Sequence, residues 1–194
     1  MNFLAHIYLS GDNDLIKIGN FMADGIKGDD YKNYSTDLRK GILLHRAIDS
    51  YTDSHPIFRK SKHRLHEHYG HYSGVIMDIF YDHFLAKNWS LYSDIPLSQY
   101  VFNFYKLLEN NFDILTLRIQ KMFPSMVKEN WLVSYADIYG LNKILYQMDY
   151  RTQFQSKMQY ATNELREYYE DFESEFFIFF EDIQKMVSQK IDNN

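Results

Sequence analysis

The sequence predicts an all-α protein, a single-domain helical bundle over residues 1–194. Apolar residues recur at the three- and four-residue spacing of a helical face along most of the chain. Only 8 glycines and 3 prolines interrupt this pattern, and the alternating pattern of a half-buried strand is absent. A chain of 194 residues is long enough to bury a sizeable core.

Composition excludes several functional classes. The chain has no cysteine, so disulfides and thiolate metal sites are excluded. No apolar run approaches the ~20 residues of a membrane span, and the opening residues lack the basic region of a signal peptide. The net charge of −5 argues against general nucleic-acid binding. We therefore expect a cytoplasmic protein with no membrane or nucleic-acid partner.

The first half of the chain predicts five helices. A short amphipathic helix covers residues 2–9, and the turn residues 11–14 can cap a second helix over Leu15–Ile26, which contains Asp24. Ser35 or Thr36 can cap a central helix that runs to His55. Pro56 is well placed in the first turn of the next helix, Ile57–Tyr69, and a fifth helix covers Val75–Trp89.

The second half continues in the same way. Helices are predicted from Pro96 to Asn110, after a bend from Asn111 to Met122, from Pro124 to a break near Gly140, and over Leu141–Tyr150. The segment Phe154–Ile191 contains neither glycine nor proline, which predicts one long helix or two in tandem.

Two of these helices carry ionisable residues on an apolar face. In the central helix, His45 and Asp49 are four residues apart and point the same way as its apolar stripe. The fifth helix repeats the pattern with Asp78 and Asp82, and His83 lies beside Asp82. Burying such groups is costly unless an opposite charge meets them. Either a metal ion or a second side chain can provide that charge.

If the two stripes face each other, one metal site can form. It would use His45, Asp49, Asp82 and His83, with Asp78 one turn away and Asp24 from the second helix. Such a sulfur-free donor set suits Mn²⁺, Fe²⁺ or Mg²⁺, and Arg46 could hold a phosphate with its planar fork. The alternative is a structural one, in which the pairs are buried hydrogen bonds.

A basic segment predicts a docking surface for an acidic partner. Residues 39–71 carry a balance of +4 within an acidic chain, and the outward cations of the fourth helix are Arg59, Lys60, Lys62 and Arg64. The alternative is an ordinary solvated helix face. Four histidines in the same region lie on different helical faces, which favours a solvated surface over a metal site: His63, His66, His68 and His71.

Several motifs, taken in order, resemble a known family. They are NFLAH at the start, GNFMADGIKG, GILLHRAID, YTDSHP, Asp82-His83 followed by Phe84-Leu85, and NWLVSYADI. Together they resemble the acyl carrier protein phosphodiesterases, helical proteins similar to the HD-domain metal-dependent phosphohydrolases. The resemblance covers nearly the whole chain and is strongest in residues 1–90.

The resemblance implies a Mn²⁺-dependent hydrolase, with Mg²⁺ or Fe²⁺ as alternative ions. It would release 4′-phosphopantetheine from a serine of holo-acyl carrier protein, a small acidic helical protein that the basic segment could bind. The implied metal-centred residues are Asp24, His45, Asp49, Asp82 and His83, with Asp78 and Arg46 in support. Two features depart from the expected pattern: the order Asp82-His83 is reversed from the wider superfamily's His-Asp, and Gly25 replaces a bulky apolar residue.

Two other functions remain open from the sequence. One is an HD-like phosphohydrolase that acts on a small nucleotide or phosphate ester. The other is a non-catalytic helical binding protein, in which the histidine–aspartate pairs are core hydrogen bonds.

Overall fold

A computed structural model describes residues 1–192, and all of their regular structure is helical. This confirms the predicted all-α class. The helices are α1 Phe3–Tyr8, α2 Asp14–Met22, α3 Thr36–Ser54, α4 Pro56–Tyr69, α5 Ser73–Lys87, α6 Leu97–Asn110, α7 Leu117–Lys128, α8 Trp131–Ser134, α9 Ile138–Arg151, α10 Thr162–Glu167 and α11 Tyr169–Asp192. Short 3₁₀ turns join several of them, including Ala23–Gly25 after α2.

Helix α5 lies in the middle of the bundle. Eleven of its fifteen residues are buried, so it is enclosed on nearly all sides instead of presenting one apolar stripe. The aromatic face of α11 packs on it, with ring centroids 5.7 Å apart for Phe80 and Phe172 and 5.6 Å apart for Tyr81 and Phe176. Helices α3 and α4 also pack against α11.

Helices α2 and α3 approach each other backbone to backbone. A Cβ atom at Gly41 would collide with the carbonyl oxygen of Ile16, and one at Gly19 would collide with that of Leu38. Glycine at both positions therefore permits the close approach. This packing brings the C-terminal half of α2 against His45 of α3.

Three predicted boundaries in the second half are wrong. Pro124 lies inside α7 instead of starting a helix; it has no N–H for the helical bond to residue 120, but Ile119 and Met126 are buried on either side of it and hold both halves in place. Gly140 does not end a helix. It lies inside α9, where its amide donates to the capping Asp137 and where a Cβ would collide with Ser134.

The third error concerns Phe154. It falls in a loop, not a helix, and three residues of that loop have positive φ: Gln153, Phe154 and Lys157. Helices α10 and α11 follow it, so the two-helix alternative is the correct one. Within residues 1–192 no helix has the length and apolar character needed to cross a membrane.

Candidate metal centre and active site

Two histidines and one aspartate form a compact cluster between α1 and α3. His45 Nε2 lies 3.0 Å from Asp49 Oδ2, and His6 Nε2 lies 3.2 Å from Asp49 Oδ1. The two imidazole rings stack with centroids 4.0 Å apart. One ligand-type atom from each residue lies within 4.8 Å of the others. These three residues could therefore hold one metal ion.

Asn20 orients both histidines from behind. Its Oδ1 accepts from His6 Nδ1 at 2.8 Å and from His45 Nδ1 at 3.1 Å. Its Nδ2 donates to the His6 carbonyl and to Ser10 Oγ, so the amide orientation is fixed. Because both Nδ1 atoms must carry protons, a neutral ring at either position has its lone pair on Nε2. A metal ion could therefore bind the Nε2 atoms of both rings, with Asn20 as the outer-shell partner. It would replace the contact of His6 Nε2 with the Met1 carbonyl at 3.1 Å and the hydrogen bonds of His45 Nε2 to Asp24 and Asp49.

Asp24 lies at the solvent-facing edge of the cluster. The 3₁₀ turn after α2 places its Oδ1 3.1 Å from His45 Nε2, and its Oδ2 lies 3.6 Å from the guanidinium of Arg118 on α7. The hydrogen bond to His45 lowers the pKa of Asp24 from its ordinary value. The carboxylate is therefore ionised at neutral pH.

The cluster strongly perturbs the protonation of its members. Burial lowers the pKa of His6 to about 4. Burial also opposes the charged form of His45, but the hydrogen bonds that His45 donates to Asp24 and Asp49 raise its pKa to about 9. Burial acts to raise the pKa of Asp49, and the hydrogen bonds with His45 and His6 outweigh it and lower that pKa far below its ordinary value. The ionised carboxylates of Asp24 and Asp49 therefore attract a cation.

The residues of the second stripe have different surroundings. Asp78 Oδ1 lies 2.9 Å from the amine of Met1. Asp82 accepts from the amides of Leu4 and Ala5 and so caps α1. The ring nitrogens of His83 bond to the Tyr135 carbonyl and the Tyr169 hydroxyl. Asp78 therefore adjoins the cluster, whereas the structure does not bring Asp82 or His83 into it.

The predicted cations also have other partners. Arg46 donates to the carbonyl of Ile26 and lies over the ring of Tyr31.

On α4, Arg64 makes two hydrogen bonds to Glu175, at 2.6 and 2.8 Å, and Lys60 lies 3.0 Å from the same carboxylate. Arg59 donates to the backbone of residue 53, and Lys62 lies near the ring of Phe58. The four histidines of the basic segment are exposed.

The cluster opens into a cavity of about 1200 Å³. His6, Asp24, His45 and Asp49 line it together with Asp78. Three cations on α7 and α9 also line it, and so do several apolar side chains: Arg118, Lys121 and Arg151, with Met122, Trp131, Ile144 and Met148. Neither Arg46 nor any residue of α4 does. A ligand in this cavity would meet carboxylates and imidazoles on one side and cations on the other.

Sequence reasoning missed three residues of this arrangement: His6, Asn20 and Arg118. The first two occur in the motifs NFLAH and GNFMADGIKG, so the motifs already contained the signal. Arg118 has no local signal, because only the packing of α7 beside Asp24 identifies it.

Comparison with known proteins agrees with the sequence motifs. A family model described as acyl carrier protein phosphodiesterase matches residues 1–183. A relative of that name from Photorhabdus laumondii is 30% identical over 181 residues, which cover 93% of this chain and 91% of the relative. One from Pectobacterium atrosepticum is 29% identical over 93% of this chain and 94% of its own length.

A third relative of the same name, from Escherichia coli, is 27% identical over 98% of this chain and 99% of its own length. No solved structure matches the chain significantly, so the HD-like part of the fold prediction stays a prediction. The family model and these relatives confirm the resemblance seen in the motifs. The chain belongs to the acyl carrier protein phosphodiesterase family.

Proposed function

We propose that this protein is a metal-dependent phosphodiesterase that hydrolyses holo-acyl carrier protein to the apo protein and 4′-phosphopantetheine. The observation that carries the proposal is the cluster of His6, His45 and Asp49 at the wall of a large cavity. The relatives, which are acyl carrier protein phosphodiesterases by name, supply the substrate.

In this proposal, His6, His45 and Asp49 hold one divalent ion, and Mn²⁺ is the ion we expect. When bound, such an ion polarises a phosphoryl oxygen and lowers the pKa of water. Asn20 would hold both rings by their Nδ1 atoms and leave their Nε2 atoms to bind the ion. Asp78 pairs with the amine of Met1 beside Asp49, and Asp82 acts indirectly by holding α1 in place.

The remaining steps use residues of the cavity wall. Arg118 binds the non-bridging phosphoryl oxygens through its planar fork, and Asp24 accepts a proton from the attacking water. The water oxygen bonds to phosphorus, the bond from phosphorus to the serine oxygen breaks, and one proton passes to that oxygen. Atoms and charge balance, since the diester anion and water give an alcohol and a phosphate monoester.

The test is to incubate the purified protein with holo-acyl carrier protein and Mn²⁺ and to follow the mass of the carrier. We expect loss of the phosphopantetheine mass, no loss in the presence of a chelator, and no loss with the His6→Ala variant. A carrier that keeps its mass at saturating metal would contradict the proposal. Metal analysis of the same samples distinguishes an inactive metal protein from a helical binding protein that holds no metal.

A further inference from the structure

We infer that the outer face of α7, together with the residues just before it, is the surface on which an acidic protein substrate docks. This inference rests on the proposed function, because that substrate is a phosphodiester attached to a carrier protein. The sequence alone favours α4 for this role. The structure points to α7, through the position of its cations, their partners and the apolar side chains around them.

Helix α7 carries cations near its start and at its end. It contains Arg118, Lys121 and Lys128 and no acidic residue. Among the described residues, neither Lys121 nor Lys128 forms an ion pair with a carboxylate, and both are exposed. Arg118 makes only a distant contact with Asp24, at 3.6 Å. Glu129, directly after the helix, interacts electrostatically with Lys128. Lys121 is therefore the α7 cation whose charge is most available to a partner.

The cations of α4 are less available. Glu175 binds both Arg64 and Lys60, and its carboxylate is buried. This pairing consumes part of the α4 charge in attaching α4 to α11. In addition, α4 contributes no side chain to the cavity wall, whereas α7 contributes Arg118, Lys121, Met122 and Ser125. A carrier bound on α7 would thus lie beside the cavity that receives its prosthetic group.

Apolar side chains accompany the charge on α7. Leu117 is 73% exposed and Val127 is 40% exposed, and Ile114, just before the helix, is 39% exposed. One face of α7 carries Leu117, Lys121 and Lys128, which are four and seven residues apart. Exposed apolar groups among cations are typical of a protein interface. The partner that fits is a protein surface with carboxylates around small apolar residues.

The experiment compares two double charge reversals in the metal-loaded protein. One is Lys121→Glu with Lys128→Glu on α7, and the matched control is Arg59→Glu with Lys62→Glu on α4. For each, kcat/KM is measured with holo-acyl carrier protein over a range of ionic strength, and with bis(p-nitrophenyl) phosphate. The ratio of the two values isolates docking from any change in the chemistry at the cavity wall.

We expect the α7 variant to lower this ratio about tenfold at low salt and to flatten its salt dependence, since long-range attraction to the carrier is lost. The α4 variant should keep the ratio of the wild type. An unchanged ratio in the α7 variant, or a loss in the α4 variant alone, would overturn the inference. If the wild type does not cleave the carrier, the equilibrium Kd for the carrier is compared among the same proteins. Weaker binding by the α7 variant alone would then uphold the docking surface and contradict the proposed function, and equal binding by all three proteins would overturn the docking surface.

Discussion

At the scale of single residues, Asn20 decides what the two histidines can do. A histidine pair stacked at 4.0 Å can present its nitrogens in several ways. One buried amide oxygen accepts from both Nδ1 atoms and leaves both Nε2 atoms facing Asp49. The metal-binding geometry therefore depends on a residue that would not itself be a ligand.

We predict that Asn20→Ala lowers the affinity for Mn²⁺ about 10–100-fold, because the rings lose the partner that fixes their tautomers and orientation. Isothermal titration with Mn²⁺ measures the change. The matched control is Ser10→Ala, which removes a neighbour of the Asn20 amide nitrogen without touching either ring. Equal affinities for the Asn20→Ala variant and the wild type would mean that Asn20 has only a packing role.

Arg118 and Arg46 offer a second comparison between single residues. We predict that Arg118→Lys lowers kcat for the carrier about 10–100-fold at unchanged metal content, because a charge-assisted hydrogen bond to the phosphoryl group is lost. Arg46→Lys should leave kcat unaltered, because Arg46 bonds to the Ile26 carbonyl away from the cavity. Steady-state kinetics of both variants provide the measurement, and the reverse ranking would restore Arg46 as the phosphate-binding residue.

The buried carboxyl of Asp82 leads us to predict a pH dependence of the free energy of unfolding. Burial raises its pKa from 3.8 to about 7, so the folded state holds a proton that the unfolded chain releases between these values. The stability due to this group is present below about pH 4 and falls as the pH rises towards 7.

In the Asp82→Asn variant, the side chain at position 82 does not titrate between pH 4 and 7. Relative to wild type, its free energy of unfolding should rise between pH 5 and 7.5, by at most about 1.4 kcal/mol per pH unit. Urea denaturation at several pH values tests this, with the exposed Asp94→Asn as control. A constant difference across the range would show that Asp82 titrates at its ordinary pKa.

At the scale of elements, one short helix and one closely packed pair of helices build the site. Helix α1 has only six residues, too few to be stable alone. Asp82 on α5 caps this helix and so fixes the position of His6, which α1 carries. Helices α2 and α3 meet through Gly19 and Gly41, which brings Asn20 close enough to reach His45. The geometry of the metal site therefore depends on both of these packing arrangements.

We predict that Gly41→Ala destabilises the protein by about 1–3 kcal/mol and weakens metal binding, because the added methyl group would push α2 away from α3. The matched control is Gly74→Ala on α5, where the nearest atom to a new Cβ is the flexible Lys62 Cδ at 3.7 Å. Alanine there should be neutral or stabilising by up to about 1 kcal/mol. Chemical denaturation of both variants gives the comparison. Equal stability of the two variants would contradict the proposed close contact.

At the scale of the whole molecule, a metal ion would connect helices that are distant in sequence. His6 lies on α1 and His45 and Asp49 lie on α3, so an ion bound to all three favours only the folded arrangement. Arg118 and Lys121 on α7 complete the cavity from the other side. Metal binding and folding should therefore be coupled.

We predict that Mn²⁺ raises the thermal unfolding temperature of the wild type and that a chelator reverses the rise. At a free ion concentration of 100 times Kd, the stabilisation should be about 2.7 kcal/mol. His6→Ala should lose this effect. His83→Ala should keep it, from a lower starting temperature, because His83 bonds to Tyr135 and Tyr169. Loss of the effect in His83→Ala but not in His6→Ala would assign the ligands as the sequence alone did.

The sequence by itself determined the all-α class, the central helix with His45 and Asp49 on its inner face, and the family. These features depend on periodicity within one helix or on motifs in chain order, so neighbours in the sequence contain the information. Only the tertiary structure decided which faces meet. His83 is on α5 but faces Tyr135 and Tyr169. His6 comes from a six-residue helix that Asp82 holds in place. Glu175 pairs with Arg64 from 111 residues away. The physical reason is that contacts between helices depend on their mutual packing, which the spacing of residues within each helix does not specify.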